Sequence, residues 1–218
     1  MNFISLGMQC TGPEILRLHN LRSHAYPFDW VLSTPKFVYQ LLLLLLEIEM
    51  PIEQIVNDYF LQIDKKVDFK DVEQYYCCDN GVSLCNTKYN VVFPHDKLND
   101  DTRAKYIRRF QRLKDVILNE NEKICFMYTS QSSLNYGNYT IDGKVILKDV
   151  YLYLNLIYDL IKRHRNDFEF FIFDSIHNED KSVLNKDIHV LNLASCYDWG
   201  EMVKQMKFYV KHLQDISN

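Results

Sequence analysis

Glycine and proline are scarce in this sequence, with 6 and 5 residues among 218. This composition argues against long flexible linkers. The glycine-rich loops that hold phosphate groups are also missing: there is no Gly-x-x-x-x-Gly-Lys-Ser/Thr motif, and Gly7 stands alone where a dinucleotide fingerprint needs three glycines. A Gly-x-Ser-x-Gly nucleophile motif is absent too. Kinases, GTPases and standard dehydrogenases are therefore disfavoured, and the sequence predicts no cofactor.

The 6 cysteines do not form a metal-binding pattern, because no Cys-x-x-Cys pair occurs. The sequence therefore predicts no metal site. The first twelve residues lack a basic segment followed by a long apolar one, so secretion is not expected. In the hairpin predicted around Asn80-Gly81, no two cysteines are directly opposed. We therefore expect reduced thiols and a cytoplasmic, reducing location.

Strong net charge and membrane-length apolar runs are likewise absent. The formal charge is −4, which gives no electrostatic reason to expect nucleic acid or an anionic membrane as the main partner. The leucine run over residues 41–46 lies in an apolar segment over 37–48, whereas a membrane span requires about 20 residues. Ser33 or Thr34 can cap this segment and Pro35 suits its first turn. The pattern predicts a mostly buried helix; a dimer-forming helix is the alternative, and the oligomeric state stays open.

Apolar strands alternate with amphipathic helices along most of the chain. Strands that are apolar on both faces are typical of a parallel sheet covered on both sides. We predict an α/β fold with an open, mostly parallel sheet, helices on both faces and an inserted β-hairpin. Residues 1–218 are expected to form a single domain, with a helical and hairpin insertion at about 35–90. The strands are predicted at 2–7, 73–78, 82–86, 89–93, 123–128, 168–173 and 188–193, the helices at 52–60, 100–118, 147–165 and 198–213, and a charged loop at 65–71.

Cys10 lies where the first predicted strand gives way to a helix. Thr11-Gly12-Pro13-Glu14 has the pattern of a capping box with an early proline, so the helix is expected to begin directly after Cys10. The unpaired N–H groups and the positive end of the helix dipole would favour the thiolate, which is the nucleophilic form. Gly7 would let backbone amides approach an oxyanion. The alternative is a small buried cysteine that ends the strand.

His95 follows the predicted strand over 89–93, so it also lies at a strand terminus. Ligands of open α/β sheets bind at the carboxyl ends of the strands. Cys10 and His95 both occupy that kind of position, and together they could supply a nucleophile and its base. The alternative for His95 is a strand-end histidine that is hydrogen-bonded to a backbone carbonyl.

Short sequence blocks in the first half of the chain resemble one known family. The most specific block is Tyr26-Pro27-Phe28-Asp29-Trp30. The others are Ile4-Ser5-Leu6-Gly7-Met8-Gln9-Cys10, Leu16-Arg17, Leu21-Arg22-Ser23-His24-Ala25, Phe93-Pro94-His95-Asp96 and Tyr106-Ile107-Arg108-Arg109-Phe110. These blocks are similar to a family of papain-like cysteine peptidases that is known from bacteria and large DNA viruses. The second half of the chain matches that family only in its general pattern.

The resemblance implies a Cys–His hydrolase in which Cys10 is the nucleophile and His95 is the base that accepts its proton. A third group should orient the imidazole, and Asp29 is the first choice because it lies in the most specific block, ahead of Asp96. The resemblance also implies a viral source. As an alternative fold, it implies an α+β papain-like architecture.

Three functions stay open from the sequence. The first is a thiol hydrolase that acts on a peptide or a protein conjugate. The second is a Rossmann-like transferase or esterase for an anionic small molecule, which Arg22 and Arg109 in the similar blocks could hold by bidentate hydrogen bonds. The helix of Arg109 is strongly basic, and its simplest interpretation is a solvated face. The third is a non-catalytic interaction protein with the same fold. None of the three requires a nucleic-acid partner.

Overall fold

The computed structural model describes residues 1–7, 11–68, 82–89, 91–119, 121–129, 140–141, 144–145, 149–174, 181–192 and 204. Outside these residues lie Cys10, the predicted strand over 73–78 with its Asn80-Gly81 turn, and nearly all of the predicted helix over 198–213. The strands are β1 (Asn2–Ser5), β2 (Lys65–Asp68), β3 (Val82–Asn86), β4 (Val91–Phe93), β5 (Ile124–Thr129), β6 (Thr140–Ile141), β7 (Lys144–Val145), β8 (Phe168–Asp174) and β9 (Ile188–Asn192). The helices are α1 (Thr11–Leu18), α2 (Pro35–Leu46), α3 (Ile52–Gln54), α4 (Asp100–Leu118) and α5 (Val150–His164).

Four parallel strands form the central sheet, in the order β1-β5-β8-β9. Each pairing is parallel, with Ser5 opposite Met127 and Thr129 opposite Phe173. This confirms the prediction of an α/β fold with a mostly parallel sheet, rather than the alternative α+β architecture. Because the strands run in one direction, their carboxyl ends lie at one edge, which is where ligands bind in such sheets.

Helices cover both faces of the central sheet, which explains why its strands are apolar throughout. On one face, side chains of β1, β5 and β8 pack against Ile15 and Leu16 of α1. On the other face, Ile4, Phe126 and Phe170 join a larger core with α2, α4 and α5. The residues of the α1 side are Phe3, Ile15, Leu16, Cys125, Met127, Phe171 and Phe173.

The leucine-rich segment forms α2, as the sequence predicted. Thr34 is the N-cap, and its Oγ1 accepts a hydrogen bond of 3.2 Å from the backbone N–H of Phe37. Pro35 occupies the first turn, where its missing N–H costs nothing. Most of the helix is buried in the larger core. Within the described parts of the chain, no helix is long and apolar enough to cross a membrane.

A small antiparallel sheet, in the order β2-β3-β4, carries the segment that leads to His95. The charged residues over 65–71 were predicted to form a loop, but 65–68 form β2 instead. Charged residues are common on edge strands, where they discourage further pairing, so charge alone was a poor guide here. Beyond the sheet, Leu32 and Val92 form an antiparallel bridge with two backbone hydrogen bonds of 2.9 Å.

The helix predicted over 52–60 is present, and its second half is a π-helix over Ile55–Phe60. It ends with Phe60 fully buried among other aromatic rings. The ring centroid of Phe60 lies 4.7 Å from that of Tyr106 and 5.1 Å from those of Phe93 and Phe110. This aromatic cluster joins the π-helix to β4 and α4, and it also includes Phe28 and Phe37.

Candidate functional site

The residues before and after the predicted nucleophile in the sequence belong to the junction between β1 and α1. The strand ends at Ser5 and the helix begins at Thr11, so the expected strand-to-helix change is confirmed on either side of Cys10, which itself lies outside the described residues. Gly7 has a φ of 93° in this junction, a conformation that L side chains rarely adopt. A Cβ there would collide with the Ser33 hydroxyl, so only glycine allows the backbone to pass this close to Ser33.

The first turn of α1 packs equally closely on β1. A Cβ added to Gly12 would lie 2.7 Å from the Ser5 Oγ and 3.5 Å from the Met127 methyl carbon. One turn further, the carboxylate of Glu14 pairs with Arg17, with 2.7 Å between Arg17 Nε and Glu14 Oε2. Close packing therefore fixes the amino end of α1 against the carboxyl end of β1, next to position 10.

The block that resembles the family most closely folds into a tight turn around Asp29. The backbone N–H of Tyr26 donates to Asp29 Oδ2 at 3.0 Å, and the backbone N–H of Asp29 donates to the Tyr26 carbonyl at 3.3 Å. Phe28 points into the aromatic cluster beside Phe60 and Phe110. The turn is thus held by its own hydrogen bonds on one side and by core packing on the other.

Asp29 is buried, with 2% of its surface exposed, and forms an ion pair with Arg22. Arg22 Nη2 and Nε lie 2.9 and 3.2 Å from Asp29 Oδ2. Burial raises the pKa of the Asp29 carboxyl above its ordinary value, although Arg22, the Tyr26 N–H and the charge of Arg109 each act to lower it. The structure therefore brings together Arg22, Asp29 and Arg109, three of the predicted site residues.

His95 is half-buried and follows β4 directly. Its ring lies edge-on to the indole of Trp30, with ring centroids 6.0 Å apart and an interplanar angle of 87°. The Leu32–Val92 bridge ties the two segments together, because Leu32 follows Trp30 by two residues and Val92 precedes His95 by three. His95 is therefore held next to the turn that contains Asp29.

Helix α4 anchors the residue after His95. The Tyr106 hydroxyl donates a hydrogen bond of 2.6 Å to Asp96 Oδ2, and Lys105 pairs with the same carboxylate through Oδ1. Burial, reinforced by the nearby negative charge of Asp96, raises the pKa of Tyr106 well above its ordinary value, so the phenol stays protonated and can donate. The same helix also contacts the turn, since Arg112 donates to the Ala25 carbonyl at 2.7 Å.

Trp30 is the site residue that sequence reasoning missed. The guanidinium carbon of Arg22 lies 5.9 Å from the centroid of the Trp30 ring, whose edge-to-face partner is His95. Among the described contacts, the connection from Asp29 to His95 thus runs through Arg22 and Trp30. The available signal was position, because Trp30 directly follows Asp29 in the most specific block. The role of Asp29 toward the imidazole stays a prediction.

We expect the Asp29→Ala substitution to lower the free energy of unfolding by about 3 kcal/mol, because it leaves Arg22 without its buried partner and the Tyr26 N–H without an acceptor. Asp29→Asn keeps an oxygen for that N–H and should cost less. Urea unfolding of both variants provides the measurement. A loss below about 0.5 kcal/mol for Asp29→Ala would show that the pair contributes no more than an exposed one.

Metal ligation finds no support in the described parts of the chain, where no group of three or more histidine, cysteine, aspartate or glutamate residues is placed to hold an ion. The polar groups around His95 are instead engaged with one another: Asp96 with Tyr106 and Lys105, and Asp29 with Arg22.

One comparison with known proteins gives a match. A family model with the description "Putative papain-like cysteine peptidase (DUF1796)" matches residues 1–140. No curated protein and no solved structure matches the chain. The matched region contains β1 to β5 and ends at the first residue of β6, so it includes His95, α4 and the turn around Asp29. It includes each of the predicted site residues, Cys10, Arg22, Asp29, His95 and Arg109.

Proposed function

Because the chain belongs to the family described as "Putative papain-like cysteine peptidase (DUF1796)", we propose that it is a thiol hydrolase of peptides or protein conjugates, with Cys10 as the nucleophile and His95 as the general base. The observation that carries the proposal is the position of His95. A histidine at the end of β4 is fixed by the Trp30 ring on one side, and the adjacent Asp96 is anchored to α4. A base for covalent catalysis requires this kind of restraint.

The chemistry follows from these two side chains. The Cys10 thiol gives its proton to the His95 imidazole, and the thiolate attacks the carbonyl carbon of the substrate. The imidazolium then protonates the leaving amine as the carbon–nitrogen bond breaks, which leaves a thioester on Cys10. Water, deprotonated by the same imidazole, cleaves the thioester and restores the thiol. The positive end of the α1 helix dipole would stabilise the thiolate.

Asp29 enters the proposal as the third member of the catalytic set. Its carboxylate holds Arg22, and Arg22 lies against the Trp30 ring that contacts His95. This arrangement supports a role in which Asp29 maintains the orientation of the base. Arg22 and Arg109 are two positive groups that act on the single carboxylate of Asp29, so one positive charge is left in excess. That charge would attract an acidic group of the substrate.

The test is the pH dependence of iodoacetamide labelling at Cys10, followed by mass spectrometry on the native protein and on His95→Ala. We expect selective labelling of Cys10 below about pH 7 in the native protein, and labelling that resembles an ordinary thiol in the variant. The matched control is His24→Ala, which removes an exposed histidine from the neighbouring segment. Slow labelling that is the same in all three proteins would overturn the proposal.

A second candidate function is favoured by the two arginines. If Cys10 proves unreactive, Arg22 and Arg109 beside one buried carboxylate would support an esterase or transferase that acts on an anionic small molecule. That function predicts a rise in melting temperature with carboxylate or phosphate compounds, and loss of the rise in Arg109→Gln. A non-catalytic interaction protein predicts neither thiol reactivity nor an anion effect.

A further inference from the structure

Trp30 adopts a backbone conformation that is unusual for its side chain. Its φ is 65°, in the left-handed region where bulky residues are strained. Within the described residues, the other non-glycine residues with positive φ are Asn20, Glu49 and Asp149. Asn and Asp tolerate this region because their short side chains bond to the local backbone, whereas a tryptophan gains nothing comparable. Strain of this kind persists only where the surrounding structure imposes it, and it is common at functional sites.

The segments on both sides of Trp30 are fixed. Before it, Phe28 is fully buried in the aromatic cluster and Asp29 is tied to Arg22 and to the Tyr26 N–H. After it, Leu32 exchanges two backbone hydrogen bonds with Val92 of β4. A relaxed backbone at Trp30 would have to break one of these attachments. The fold therefore maintains the left-handed conformation at this position.

In this conformation the indole contacts both Arg22 and His95. The Arg22 guanidinium carbon lies 5.9 Å from the ring centroid, within the range of a cation–π contact. The imidazole of His95 meets the indole at 87° with centroids 6.0 Å apart, which is the favoured edge-to-face arrangement of two aromatic rings. The indole ring is therefore in contact with the proposed base.

We propose that Trp30 is a positioning residue of the thiol hydrolase, and that its strained backbone holds the indole where it fixes the orientation of the His95 imidazole. This inference rests on the proposed function, since it concerns the base of that reaction. Trp30 would act through His95 and would not touch the reacting atoms.

Several residues on the segments around His95 and Trp30 are charged. Asp96 follows it in the chain and is paired with Lys105. Asp29 lies behind the Trp30 turn with Arg22, and Arg109 of α4 adds its charge to that pair. Substitution of Trp30 leaves these five charges in place. A change in His95 on removal of the ring would therefore report the ring itself.

The experiment compares Trp30→Gly with Trp30→Phe in the full chain. Glycine accepts the left-handed backbone, so Trp30→Gly should keep or raise the melting temperature. If the ring positions the base, the same variant should lower the rate of Cys10 labelling at about pH 6 by about tenfold. Trp30→Phe retains an aromatic ring and should retain most of the rate. The Cε1 proton resonance of His95, followed by NMR, should shift in Trp30→Gly because the ring current is lost.

The matched control is Glu49→Gly, which relieves the strain of a positive φ of 53° at an exposed residue after α2. It should match Trp30→Gly in melting temperature and leave Cys10 labelling and the His95 resonance unchanged. If Trp30→Gly also leaves both readouts unchanged, Trp30 is only a strained turn residue and the proposal is overturned. If Trp30→Gly does not fold, Trp30→Asn, which tolerates the same φ, provides the same comparison.

Failure of the proposed function would give a different result. In that case Cys10 of the native protein would label slowly at every pH, whatever stands at position 30. The NMR readout of His95 would still report whether the indole lies against the imidazole, because it does not depend on a reactive thiol. An unshifted resonance in Trp30→Gly would overturn the positioning role whether or not Cys10 is a nucleophile.

Discussion

The Cys10→Ala variant should lose all measurable hydrolysis of a fluorogenic peptide library, while its free energy of unfolding stays within about 1 kcal/mol of the native value. The proposed reaction passes through a bond to the Cys10 sulfur, so no other group can replace it. Stability should be little affected because the substitution removes one sulfur atom at the start of α1. Library cleavage and urea unfolding on the same preparation provide the two measurements.

Cys125 supplies a matched control for that experiment. It is fully buried on β5, and burial raises its pKa far above that of an ordinary thiol, so it stays protonated and unreactive. Cys125→Ala should therefore lower stability, because it leaves a small void in the core, and should retain hydrolysis. The proposal would fail if Cys10→Ala kept its activity. Unfolding of Cys10→Ala, with an active and folded Cys10→Ser, would identify Cys10 as a core residue that is not the nucleophile.

The parallel sheet could be predicted from sequence because its signal is local and repeated. Strands such as 168–173 are apolar at nearly every position, which only burial on both faces permits. The start of α2 was equally clear, since Thr34 and Pro35 are the residue types that helix starts require. In each case the predicted structure depends on a few adjacent residues.

The features that could not be predicted depend on contacts between distant segments. Strand β2 is highly charged, and only its pairing with β3 makes it a strand. The backbone of Trp30 is left-handed because Phe28 and Leu32 are fixed by Phe60 and Val92, far away in the chain. Nothing in the residue type of tryptophan indicates such a conformation.

The same distinction between local signals and distant contacts applies to the candidate site. Arg22, Asp29 and Arg109 all lie in the sequence blocks that carry the resemblance to the family, and in the structure the charges of both arginines act on the Asp29 carboxyl. The blocks did not indicate that Asp29 pairs with Arg22, or that the Trp30 ring would contact both Arg22 and His95. Those arrangements arise only once the turn and β4 are joined.

Phe60→Ala is expected to cost about 4 kcal/mol of unfolding free energy, the range found when a large buried aromatic ring is removed. Phe60 is fully buried and contacts five other rings within the described part of the chain, those of Phe28, Phe37, Phe93, Tyr106 and Phe110. A cavity at this point would not collapse easily, because its walls belong to separate helices and strands. Urea unfolding gives the loss, and Phe60→Leu, which fills part of the space, should cost clearly less.

The same substitution should also disturb the site, because two of these rings support its parts. Phe28 fixes the turn that carries Trp30, and Phe93 is the last residue of the strand that leads to His95. Phe170→Ala is the matched control: it removes a fully buried ring whose partners, Phe126 and Tyr158, lie outside the aromatic cluster around Phe60. At a similar loss of stability, Phe60→Ala should slow Cys10 labelling at about pH 6 and Phe170→Ala should not. Equal labelling in both variants would mean that the aromatic cluster stabilises the fold without aligning the base, and the alignment would then depend on the Leu32–Val92 bridge and the contacts of α4.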